Sequence, residues 1–181
     1  MMTKATLACL LGVLLLLGGC NATGPLYTEG SRLSERQAEL VIYREKLLLG
    51  SATYPTVSVN GEVLGQLRQG GYLRYRQIGD GDVSISVTGH PMVWPWQLPQ
   101  HRMALKSGET SYLNLDLQAD ETTILVKCAE TKERIEVCER TTSRPGWVVP
   151  DAGEALAVLP ELKLSSNNAT SPRMEEAGAA Q

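Results

Sequence analysis

Thr56-Val57-Ser58-Val59 alternates polar and apolar side chains and runs directly into Asn60-Gly61. Both central positions of a type I′ turn need positive φ, which Asn and Gly adopt at least cost, so the pair predicts a two-residue hairpin. Its register sets Val59 opposite Glu62 and Val57 opposite Leu64, leaving Val57, Val59 and Leu64 on one face. The same period recurs. Tyr72 to Arg76 is extended, Val83, Ile85 and Val87 follow the turn Gly79-Asp80-Gly81-Asp82, and Met103 and Leu105 precede Lys106-Ser107-Gly108-Glu109, with Leu113, Leu115 and Leu117 beyond it. A last pair of strands is expected over Thr123 to Cys128 and Arg134 to Arg140. A period of two cannot make the apolar stripe of a helix, so the body is read as all-β.

Leu40-Val41-Ile42-Tyr43 is apolar on both faces and reads as a buried central strand. Asp151 with Glu154 three residues on forms a capping box, and Ala155, Leu156 and Leu159 follow at helical spacing before Pro160. The expected fold is an antiparallel β-sandwich or open barrel over residues 39–164, with one short C-terminal helix. Seventeen Gly, nine Pro and no Phe among 181 residues agree with a turn-rich β protein. A formal net charge of -3 provides no basic face for tracking phosphates, so nucleic acid is not an expected partner.

The N-terminus says where such a domain resides. Lys4 is followed by an apolar run from Ala5 to Leu17, shorter than the roughly 20 residues that span a bilayer as a helix, then by Gly18, Gly19 and Cys20. This reads as a secretory signal. Leu17-Gly18-Gly19-Cys20 resembles the lipobox of bacterial lipoproteins. That resemblance implies removal of residues 1–19, a diacylglycerol thioether on Cys20 and an acyl group on its new amine. Several acyl chains, at about 0.8 kcal/mol per buried methylene, make a permanent membrane anchor. Asn21 stands where an aspartate would be the usual inner-membrane retention signal, which implies the outer membrane, lipid-anchored and facing the periplasm. Residues 20–38 follow no sustained period and read as the lipidated Cys with a tether, and residues 165–181 as a disordered tail.

Val41-Ile42-Tyr43-Arg44, Val57-Ser58-Val59-Asn60-Gly61, Gly65-Gln66-Leu67, Gly70-Gly71-Tyr72 and Gly79 to Val87 together resemble a family of bacterial lipoproteins catalogued only as a domain of unknown function. The resemblance covers residues 39 to about 130. It implies a fold and no activity. In relatives a Pro-Gly type turn would be expected in place of Gly79-Asp80-Gly81-Asp82.

With Cys9 lost in the signal and Cys20 acylated, Cys128 and Cys138 are the two remaining thiols in an oxidising compartment. They are expected to form a disulfide across the last hairpin, with Lys127 opposite Glu139 and Ala129 opposite Val137; a redox couple is the alternative reading. The segment from His90 to His101 holds Trp94, Trp96 and three prolines. It reads either as a contact surface or as a loop folded over an open end of the core. Two imidazoles without a positioned carboxylate or thiolate make no metal site, and no cofactor motif is present. Arg44, Arg68, Arg74 and Arg76 could form a cationic patch, with Arg74 and Arg76 alternating on one strand face. The expected protein is an outer-membrane lipoprotein whose non-enzymatic β domain is a structural or interaction module, with the membrane and envelope proteins as partners. The alternatives are a module binding peptidoglycan or another glycan, and a hydrolase using scattered acids.

Overall fold

The computed structural model describes residues 21–29, 33–47, 53–92, 94–130 and 135–165, with the side chains of 120–130 and 135–143 outside that description. Among the described residues nine strands run in the order β1 (Gln37–Arg44), β2 (Thr56–Val59), β3 (Glu62–Gln66), β4 (Gly71–Ile78), β5 (Gly81–Thr88), β6 (His101–Leu105), β7 (Thr110–Glu130), β8 (Ile135–Val148) and β9 (Lys163–Leu164). They form two separate sheets, a five-stranded one ordered β8-β7-β1-β4-β9 and a four-stranded one ordered β3-β2-β5-β6. The fold is therefore a sandwich and not a closed barrel.

β1 is the central strand of the larger sheet, as its two apolar faces require. Ala38, Leu40 and Ile42 point into the core between the sheets, where they meet Val57, Val59, Leu64, Val83, Ile85, Leu105, Leu113 and Leu115. Val41 and Tyr43 point the other way, into a second core with Tyr27, Tyr72, Tyr112, Ala155, Leu159 and Leu162. Sheet pairing is mixed where a purely antiparallel arrangement was expected: β1 pairs antiparallel with β4 but parallel with β7, and β4 is parallel with β9. Burial on both faces is the usual setting of parallel pairs.

The Asn60-Gly61 turn forms with φ of 52° and 85°. Val59 pairs with Glu62 as expected, but a shift between Val57 and Ser58 sets Val57 opposite Gly65 and not Leu64. This bulge still leaves Leu64 in the core with Val57 and Val59. The turn at Gly79–Asp80 is a larger departure. It joins no hairpin: β4 and β5 lie in different sheets, and so do β6 and β7. The two crossovers stand side by side, with Ser107 N donating to Asp80 Oδ1 at 2.7 Å, and that bond holds the Asp80 carboxyl below its ordinary pKa. Gly79 N and Gly108 N donate to Arg36 O and Gln37 O, each at 2.8 Å, closing this end of the sandwich.

The strands expected at Leu113–Leu117 and Thr123–Cys128 are parts of one strand, β7, which continues with β8 as a long ribbon after a register irregularity between Asp116 and Asp120. The helix α1 (Ala152–Val158) starts at the expected capping box. Glu154 N donates to Asp151 Oδ1 at 2.8 Å and Asp151 N to Glu154 Oε2 at 3.2 Å. Pro160 sits in a 3₁₀ turn, Leu159–Glu161, that prolongs it. Ser165, placed in the tail by its sequence, is fully buried, and its N–H donates to Tyr72 O at 3.0 Å.

Candidate functional site: a charged cluster under an N-terminal strap

The segment read as a tether packs on the domain. Asn21 bridges to Gln69 and Leu26 to Lys163, while Gly24 N and Tyr27 N donate to Leu164 O at 3.0 Å and Leu162 O at 2.8 Å. Ala22 and Tyr27 are buried. Residues 21–29 are thus a strap along β9, held because each buried side chain fills a place on the outer face of the larger sheet. Gly71 allows the close approach: a Cβ there would lie 2.9 Å from Ala22 Cβ and would also strike Ser165 Oγ.

Beneath and beside the strap the pairing registers bring charge together. Glu39 shares the outer face of β1 with Val41 and Tyr43. The antiparallel neighbour sets Arg76 across from Glu39 and Arg74 across from Val41, and the parallel neighbour sets Thr110 and Tyr112 across from the same two positions. Glu39 is 2% exposed. Arg76 Nε donates to its Oε1 at 2.8 Å, Thr110 Oγ1 donates to its Oε2 at 3.4 Å, and Arg74 Nε lies 4.0 Å from Oε1. A carboxylate withdrawn from water is tolerated because cations and a hydroxyl replace its hydration.

Arg74 also holds the strap. It donates to Thr28 O, and its guanidinium stands 4.7 Å from the Tyr27 ring centre and 5.6 Å from that of Tyr72. The Tyr27 and Tyr72 rings meet edge to face at 5.3 Å. Burial, reinforced by the neighbouring Tyr112, pushes the Tyr27 hydroxyl up to about 12, and burial together with Glu45 does the same at Tyr43. Burial also raises Tyr72.

The four arginines do not form one patch. Arg44 is 1% exposed, because its position in β1 turns it away from Arg74 and Arg76. Its guanidinium donates to Thr53 O and, at 3.0 Å, to Thr53 Oγ1, and burial lowers its pKa to about 10. Arg68 lies over the Tyr54 ring at 5.5 Å. Arg74 and Arg76 do share a face, but their charge is engaged by Glu39, Tyr27 and Thr28.

Trp94 is 2% exposed and belongs to the core between the sheets, with Trp96 and Leu98 packed against that core and the two indoles 4.9 Å apart. Of the two roles open to this loop, Trp94 takes that of core cover. This corrects its place in a contact surface, since a buried indole offers a partner no area. Trp96 keeps a partly exposed face. His90 Nδ1 accepts from Met92 N at 3.3 Å within the loop, and the His101 ring lies 6.2 Å from that of Trp147. Among the described residues no three His, Cys, Asp or Glu side chains gather as a metal site. Cys20 lies outside the described residues, as do the side chains of Cys128 and Cys138. The backbone register sets Cys138 opposite Val126 and Lys127 opposite Val137, two positions from the expected pairing, with Cys128 at an irregularity between Lys127 and Ala129.

Glu39 escaped the sequence reading because it stands one residue before an apolar run. Its alternation with Val41 and Tyr43 was the available signal. A second polar feature was not anticipated: an open trough of about 650 Å³ on the outer face of the smaller sheet, with Asn60, Asp82, Ser84, Gln100 and Arg102 in its lining. Ser84 Oγ is buried without a hydrogen-bond partner among the described residues. No protein-family model matches the chain, and neither a curated protein nor a solved structure matches it.

Proposed function

We propose that this chain is a bacterial outer-membrane lipoprotein, held by acyl chains on Cys20 and facing the periplasm, whose β domain is a non-enzymatic structural or interaction module. The observation that carries the reading is the apolar run ending in Leu17-Gly18-Gly19-Cys20. The resemblance of residues 39 to about 130 to lipoproteins of unknown function belongs to the same reading. The charged cluster fits a module of this kind. Arg76 pairs with Glu39, and Arg74 beside them holds Thr28 and Tyr27 of the strap, which is the chemistry of a fastening. The test is Cys20→Ser: it should leave unprocessed or released protein and abolish incorporation of a fatty-acid analogue. Persistent labelling with membrane retention would overturn the anchor.

The trough favours a second reading, a module that binds peptidoglycan or another envelope glycan. Its amides, Asp82 carboxylate and Arg102 guanidinium are the groups that pair with sugar hydroxyls. Retention on isolated sacculi that falls in Asp82→Ala and Arg102→Ala, with unchanged melting, supports it; retention unaffected by either change removes it.

A further inference from the structure

Consecutive α-carbons lie about 3.8 Å apart, so Asn21, the first described residue, adjoins the proposed acylation site. Asn21 bridges to Gln69, Ala22 N donates to Gln69 O at 3.2 Å, and Ala22 is 5% exposed. The chain next to the proposed anchor is therefore packed on the domain. From it the strap runs along β9, the outer strand of the larger sheet, and leaves Pro25 and Leu26 exposed, Leu26 at 53%. Lys163, bridged to Leu26, is exposed beside it, and exposed Lys46 covers Gly70 with its alkyl chain next to the anchor point. The β7–β8 ribbon occupies the opposite edge of the same sheet, so the β9 edge can lie on a flat surface without meeting it.

We propose that the β9 edge and its strap rest directly on the phospholipid leaflet that holds the anchor, with Leu26 at the interface and Lys46 and Lys163 among the headgroup phosphates. This rests on the acylation of Cys20. Glu161, exposed two residues before Lys163, offsets one of these charges, so the anchor and the apolar contact hold the edge down more than net charge does.

The experiment uses the processed, acylated protein beginning at Cys20 in phosphatidylcholine–phosphatidylglycerol vesicles whose acyl chains carry a quencher. A fluorescent amino acid replaces Leu26 or, in separate samples, Ile78 at the far end of β4 or Val63 on the other sheet; these sites are 53%, 81% and 49% exposed, so each tolerates the change. Circular dichroism checks each fold. Emission from position 26 should shift to the blue and be quenched several-fold more than from positions 78 and 63. Equal quenching at all three sites in vesicle-bound, acylated protein overturns the apposition and leaves the lipoprotein reading standing. Mass spectrometry showing Cys20 without acyl chains overturns both.

Discussion

Replacing Glu39 by Gln keeps the side chain's volume and removes its charge, which isolates what the carboxylate does for the outer face of the larger sheet. Breaking a fully buried ion pair by removing one partner costs about 3–5 kcal/mol, while exposed pairs contribute about 0–1 kcal/mol. Glu39 is at the buried limit with 2% exposure, but Arg76 and Arg74 are 25% and 23% exposed and recover part of their hydration. The expected loss is therefore intermediate, about 2 kcal/mol. For a chain of this size roughly 2–4 °C of melting temperature accompanies each kcal/mol, so the midpoint should fall by about 4–8 °C. Urea unfolding followed by circular dichroism gives the free energy, and a double-mutant cycle with Arg76→Met separates the 2.8 Å contact from the rest of the cluster. The coupling should exceed about 1 kcal/mol if the contact matters as described. A Glu39→Gln protein within about 0.5 kcal/mol of the parent, with no coupling to Arg76, would refute the cluster as a fastening.

The Trp94→Ala protein should lose about 3–5 kcal/mol, the usual range for a large aromatic removed from a core, whereas Trp96→Ala should lose less; equal small losses in urea unfolding would contradict the burial of Trp94. Tyr27 and Tyr43 are neutral in both folded and unfolded chains below pH 10, but between pH 10 and about 12 only the unfolded chain releases their protons, so stability should fall as pH rises through that window. Absorbance titration at the tyrosinate band should then show a late-titrating fraction, and a single transition near 10 would exclude it. Gly71→Ala should displace Ala22 and expose the strap, read as faster proteolysis within residues 21–29 and unchanged cutting at the Asn60-Gly61 turn. Non-reducing peptide mapping tests the expected Cys128–Cys138 link against the register that sets Cys138 opposite Val126: recovery of the linked pair requires a ribbon pairing that differs from that register, and two free thiols in protein from the periplasmic side would remove the staple.

A period of two announces which side chains of a strand are buried, and here it did so for Val83, Ile85 and Val87, for Leu113 and Leu115, and for both faces around Val41. It carries no information about which sheet a strand joins. Gly79-Asp80 and Ser107-Gly108 have the composition of hairpin turns, yet each connects one sheet to the other, because what distinguishes a crossover is the pairing of strands far apart in sequence. The strap was illegible for a related reason. Its two buried side chains, Ala22 and Tyr27, are five residues apart in an irregular segment, and they find their places only on a sheet that the rest of the chain builds. Arg74 and Arg76 were visible as a pair, but their significance depends on Glu39, whose proximity to them follows from the β1–β4 register.

The strap's backbone partners include Leu162 and Leu164, so the first described residues close against the last. During synthesis and export that contact must wait until Leu164 has emerged, and non-local closure of this kind is slow relative to local hairpins. The segment beside Cys20 stays undocked through that interval. Under the proposed reading, enzymes that cleave and acylate the chain meet an open substrate at first and a closed one once folding is complete. On that reading the order of emergence would set a time limit on maturation, and a variant that folds before it is processed would present residues 21–29 already packed to the processing enzymes.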